Sequence, residues 1–177
     1  MTDRRIQLRA MVLSALMGAL GLTFPVAFHA VGLGSKFLPM LLPLLLNGFL
    51  VPLRWAVLTG ALVPVISTVA TGMPPLYPPV VLIMSCEGAV LGGVAALIYR
   101  NSRRSLWLAL LAAIVSGRAA AFVVAWALAR SFGLPPGFAS LAMLAQGLPG
   151  VALQIAVVPA VLEFLAHRQG PLFAGDR

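Results

Sequence analysis

Apolar residues run along this chain in long stretches, separated by short segments that hold most of the charges, prolines and glycines. Six stretches can be drawn, over residues 10–28, 37–53, 55–71, 80–99, 106–129 and 139–166. Each comes near the ~20 residues that a helix rising about 1.5 Å per residue needs to cross ~30 Å of hydrocarbon. The second and third are short and meet at a tight turn around Pro52 and Arg54. A closed membrane barrel alternates polar and apolar residues, and these runs do not. The pattern predicts an all-α integral membrane protein, with six transmembrane helices in a single membrane domain over residues 1–177.

Composition agrees with lipid as the main solvent. The chain is 61% hydrophobic and 9% charged, with a mean hydropathy of +1.04, whereas a soluble domain carries about 25% charged residues. Arg4, Arg5 and Arg9 resemble the positive start of a secretory signal. The apolar run after them is longer than the usual ~7–15 residues and has no clear small-x-small cleavage site, so it is read as a helix.

Charge sets the expected orientation. The net charge of +8 comes mostly from eleven arginines, which in a soluble protein would suggest a nucleic-acid partner. Here the positives sit in short connectors. With the N-terminus inside, Arg4, Arg5, Arg9, Arg54, Arg100, Arg103, Arg104, Arg168 and Arg177 are cytoplasmic, and Lys36 and Arg130 are outside. That asymmetry follows the positive-inside rule and predicts an N-in, C-in topology. Trp55, Tyr99 and Trp107 then share the inner interface as an aromatic belt.

The same topology places residues 29–36, 71–79 and 131–137 outside. All three connectors are rich in glycine or proline; TGMPPLYPP (71–79) holds four prolines. Proline stops helices, which accounts for one such loop. Three on one side suggest structured caps that roof a cavity.

Glu87 and Arg118 are the candidate polar centre. Each lies near the middle of an apolar segment, where a lone charge costs ~2.5 kcal/mol or more, so such residues face the bundle interior and find partners. Small residues flank both, in Gly88-xxx-Gly92, Ala89-xxx-Gly93 and Gly117-xxx-Ala121, and favour close helix approach. Two roles remain open, a self-satisfied structural ion pair or a contact to a polar ligand. Gln146, at the outer end of the sixth segment, is a further binding candidate, as are Lys36 and Tyr77 in the outer connectors. Gln154 and Asn47 read as structural, and Ser67, Thr68 and Thr71 as bonded to their own helix carbonyls. Ser14-xxx-Gly18 and Ala15-xxx-Ala19 give the first helix smooth faces.

Motifs of other chemistries are missing from the sequence. Cys86 is the lone cysteine, and four acidic residues are too few for a carboxylate-rich metal site. GLGSK (32–36) lacks phosphate-loop spacing, and neither HExxH nor GxSxG occurs. Catalysis and independent ATP hydrolysis have no support, no cofactor is implied, and no pair of related halves marks a secondary transporter.

The runs FLPMLLPLLLNGFLV (37–51) and TGMPPLYPP, the Glu87 helix ending GGVAALIYR, and GLPGVALQIAVVPAV (147–161) together resemble the substrate-binding S components of energy-coupling factor transporters. The likeness covers nearly the whole chain in order. It implies a six-helix protein of the bacterial cytoplasmic membrane that captures a vitamin or similar micronutrient from outside, under the first, third and fifth loops. It also implies a membrane coupling subunit and two cytosolic ATPases as partners, with Ala15 and Ala19 on the coupling face. The loaded subunit would topple in the membrane to release its cargo inward. Leu41 stands where the nearest subgroup often has a histidine after Leu-Pro-Met. The competing reading is a six-helix membrane scaffold of the cell-shape-determining type, with no transport role.

Overall fold

The computed structural model describes residues 3–30, 32, 37–76, 79–101, 105–135, 137, 145 and 147–168. These form six helices: α1 (Asp3–Ala30), α2 (Leu41–Leu50), α3 (Leu53–Thr71), α4 (Val80–Asn101), α5 (Leu106–Phe132) and α6 (Leu148–Arg168). No strand occurs among the described residues. Five of the six, all but α2, are long and apolar enough to cross a membrane. Large apolar side chains also cover the outside, with Val69, Val115 and Val12 among the most exposed. Water would penalise such a surface, and lipid does not.

A helix overlaps each of the six expected segments, and the bounds differ most at the second. There the apolar run 37–53 contains a helix of only 10 residues, about 15 Å long. Every residue of α2 is buried. Its oiliness therefore reflects packing inside the bundle rather than contact with lipid. Met40, Leu41, Leu44, Leu45 and Phe49 of this region anchor the main hydrophobic core, with Leu91, Leu110, Ile114 and Val158 contributed by α4, α5 and α6. Short helices at membrane depth are tolerated where protein surrounds them. The chain turns out of α2 through an extended Val51 and Pro52, and α3 follows at once. The first helix is longer than expected and begins at Asp3. Of the sixth segment, the described helix begins at Leu148. Its predicted start at 139–144 lies outside the described residues.

Helix α4 is the hub, packed on α2, α3 and α5. Glycine makes the approach possible. A Cβ at Gly60 of α3 would run into the backbone of Gly88 and Ala89. A Cβ at Gly48 of α2 would sit 3.0 Å from Gly92 Cα and 2.9 Å from Ala95 Cβ. Pro64 inside α3 lacks the N–H that would bond the carbonyl of Gly60. That carbonyl faces Gly88 instead, 2.7 Å from where a Cβ would stand. The proline and the glycine pair thus belong to one close crossing. The small residues marked in the sequence as packing motifs stand at these contacts.

Candidate polar site at the α4–α5 crossing

Helices α4 and α5 cross at Gly117, where a Cβ would lie 3.1 Å from Leu91 Cδ1 and 3.6 Å from the carbonyl oxygen of Glu87. The next residue on α5 is Arg118. Its Nη2 lies 2.6 Å from Oε1 of Glu87. Oε1 has no hydrogen-bond partner among the described residues, and the contact is a close ion pair. The two charges predicted to seek partners in the apolar interior have found each other. They are unequally covered: the Glu87 side chain is 5% exposed and that of Arg118 18%. The glutamate is the inner member of the pair and the arginine the outer one.

The guanidinium of Arg118 reaches the start of α6. A Cβ on Gly147 would fall 2.7 Å from Arg118 Nη1 and 3.0 Å from Leu38 Cδ1. Only glycine leaves the guanidinium its place here. Leu38 holds a φ of +46°, the one positive value among the described non-glycine residues. Such a backbone costs a β-carbon-bearing residue ~1–2 kcal/mol. Next to it, the Phe37 backbone lies so close to Gly150 that a Cβ there would overlap its carbonyl group. The segment entering α2 and the first turn of α6 are therefore in contact next to Arg118. Phe37 also stacks at a tilt on Phe28 of α1, with ring centroids 5.9 Å apart.

The connector after α3 is tied down as well. Thr68 Oγ1 is 2.9 Å from the carbonyl of Pro64 and 2.7 Å from that of Pro74. Its hydroxyl links the helix to the TGMPP turn, whose Met73–Pro74 peptide is cis. Thr71 bonds back to the carbonyl of Ser67 at 2.8 Å, as expected of it. Gly72 ends α3 in the left-handed conformation that glycine adopts without cost.

Of the other expected binding residues, Lys36, Tyr77 and Gln146 lie outside the described residues. Gln154 is buried, and so is Asn47, whose Oδ1 accepts a long 3.4 Å bond from Ser14 Oγ while its Nδ2 has no partner. On α1 the two small-residue faces have different surroundings. Ser14 and Gly18 are buried, with Gly18 against Val63 and Thr59 of α3, whereas Ala15 and Ala19 are exposed. Sequence reasoning missed Gly147, Gly150 and Leu38. The GLPG motif at 147–150 offered a signal for the glycines, since two glycines flanking a proline at a helix start suggest close contact there. Nothing in the sequence marks the positive φ of Leu38.

The sequence model of the family described as ECF transporter, substrate-specific component, matches residues 9–162. The chain belongs to this family. It is a multi-pass membrane protein and a substrate-specific subunit of an energy-coupling factor transporter. Subunits of this kind bind substrate rather than carry out catalysis, and they associate with a module that couples to ATP hydrolysis. No curated protein and no solved structure matches the chain significantly.

Proposed function

We propose that this S component captures a vitamin or similar micronutrient outside a bacterial plasma membrane and delivers it inward. The observation that carries this reading is the Glu87–Arg118 pair, whose guanidinium lies against Gly147 at the start of α6. A purely structural pair would be best enclosed on all sides, because any exposed edge in hydrocarbon costs free energy. Here the acid is the more enclosed member, with a side chain 5% exposed, and the arginine is the less enclosed, at 18%. The substrate-binding set is Glu87 and Arg118, joined by Gln146, Lys36 and Tyr77.

Both termini are cytoplasmic in this reading, supported by the arginine asymmetry. Two cytosolic ATPases and a membrane coupling subunit complete the transporter. The exposed Ala15 and Ala19 face of α1 receives the coupling subunit, since small side chains let a partner helix approach closely. The bound subunit topples to open its site inward.

Co-expression with a coupling subunit and ATPases, followed by reconstitution into vesicles, tests the reading. Accumulation of a small molecule that requires both ATP and this chain is expected. Assembly with ATPases but no such accumulation of any molecule that co-purifies with the chain would overturn it.

A further inference from the structure

Helices α1 and α3 lie side by side. A Cβ on Gly21 would stand 3.1 Å from Val63 Cγ1, and one on Gly18 3.8 Å from Thr59 Cγ2. Ala10 shares a buried cluster with Val51 and Ala56. Residue numbers rise together along both helices, so the two run parallel and their first turns share one end of the bundle. That end carries Arg4, Arg5 and Arg9 of α1 and Arg54 of α3, all exposed. Arg5 and Arg9 stand one turn apart, where like charges repel. The first turn of α3 holds no acid. The described helices bring two acids to this end: Asp3, the first residue of α1, and Glu163 of α6, whose neighbours Leu162 and Leu165 pack on the Ala10 cluster. The charges there are unbalanced toward positive.

Two further features adjoin the arginines. The Arg54 guanidinium carbon lies 5.7 Å from the centre of a Trp55 ring, and the Trp55 indole N–H is buried with no hydrogen-bond partner among the described residues. Below Arg54, Leu58 and Leu62 follow at intervals of four on α3, both exposed, so a stripe of apolar side chains begins where the cations end. We infer that this end of α1 and α3 is a docking surface for an anionic phospholipid, with its phosphate among Arg4, Arg5 and Arg54 and its acyl chains along Leu58 and Leu62. A lipid matches both parts at once, a negative head for the guanidiniums and apolar tails for the stripe. An acidic protein segment would match the arginines alone. The α1 face with Ala15 and Ala19 is not used, and the inference is independent of what the Glu87–Arg118 pair binds.

A comparison within the same chain is available. On α4, Gly88 meets Gly60 and Gly92 meets Ala56 of α3, while Leu91 meets Gly117 and Ile83 clusters with Ala125 of α5. Helices α3 and α5 therefore both run against α4, and the last turn of α5 is at the opposite end from Arg54. Arg130 there lies 4.7 Å over the Trp126 ring and is the one basic residue of that turn. It repeats the cation-on-indole contact without the surrounding arginines.

The purified chain in detergent, supplied with equal amounts of palmitoyl-oleoyl phosphatidylglycerol and the phosphatidylcholine of the same chains, is read by native mass spectrometry for the lipid it retains. The wild type should favour phosphatidylglycerol by ~10-fold, and raising the ionic strength from ~0.1 to ~0.5 M should cut that preference at least ~3-fold. Arg4→Gln, Arg5→Gln and Arg54→Gln together should bring it below ~2-fold while circular dichroism shows an unchanged fold, and Arg130→Gln should keep it. Equal retention of the two lipids by the wild type overturns the inference, as does a preference insensitive to salt, which decides the matter even if the triple variant fails to fold. A preference that survives in the folded triple variant, or that Arg130→Gln removes as fully, overturns it too. A triple variant that keeps its lipid preference but no longer assembles with ATPase partners would assign the arginines to a protein surface instead.

Discussion

Removing one charge of the α4–α5 pair should cost more when the arginine goes than when the glutamate goes. Arg118→Met leaves the Glu87 carboxylate with a side chain 5% exposed, no hydrogen bond to Oε1 and no cation 2.6 Å away. Breaking a buried pair in this way typically costs ~3–5 kcal/mol. Glu87→Gln leaves a guanidinium that is 18% exposed and long enough to bend toward the α6 end, so its cost is lower, about 2–3 kcal/mol. Glu87→Gln with Arg118→Met removes both charges, keeps most of the volume, and should return to within ~1 kcal/mol of the wild type. Reversible unfolding in mixed micelles, followed by circular dichroism across a denaturant series, measures all four proteins. A double variant whose loss equals the sum of the two single losses would refute the argument, because the two sites would then be uncoupled. Equal losses in the single variants would refute the assignment of an inner and an outer member.

Three further outcomes follow from other contacts. Gly60→Ala places a methyl against the backbone of Gly88 and should cost ~3 kcal/mol or more, whereas Gly93→Ala meets side chains alone, Val57 at 2.9 Å and Leu53 at 3.6 Å, and should cost less; the same unfolding series compares them. Ala15→Trp or Ala19→Trp should leave folding and ligand binding intact, since both positions are exposed, but should abolish ATP-driven uptake in vesicles; normal uptake in both variants would remove this face as the coupling surface. Single cysteines at positions 3 and 170, in a Cys86→Ser background, should resist a membrane-impermeant thiol reagent in intact cells and react after lysis; labelling of intact cells would reverse the topology and put the site on the wrong side.

Some of this was legible in the sequence and some was not, for physical reasons. Glu87 and Arg118 stood out because a charge among apolar residues has few stable solutions, and mutual pairing is one of them. Helix ends at Gly72, Gly133 and Ser105 follow familiar capping chemistry: two left-handed glycines, and a serine hydroxyl that accepts from the N–H of Leu108. The length of α2 was harder to see, since residues buried in protein and residues facing lipid are equally apolar. Periodicity cannot separate the two. The role of Gly147 depends on a side chain 29 positions away in the chain, and no local rule connects them. Leu38 is a case where tertiary contact imposes a backbone conformation that the residue itself disfavours. On α1, the spacing of small residues showed two smooth faces, but only packing distinguishes the buried Ser14–Gly18 face from the exposed Ala15–Ala19 face.

The claim that this S component holds a small polar cargo at the Glu87–Arg118 pair is tested most directly by mass spectrometry of what it carries. The chain, purified in mild detergent from cells grown in rich medium, is denatured and its released small molecules are identified and quantified. The account predicts one compound at near-stoichiometric amount, absent from the folded Glu87→Gln, Arg118→Met protein prepared in parallel. Equal retention of that compound by both proteins would contradict it, as would a wild-type chain that carries no small molecule and binds none of those supplied.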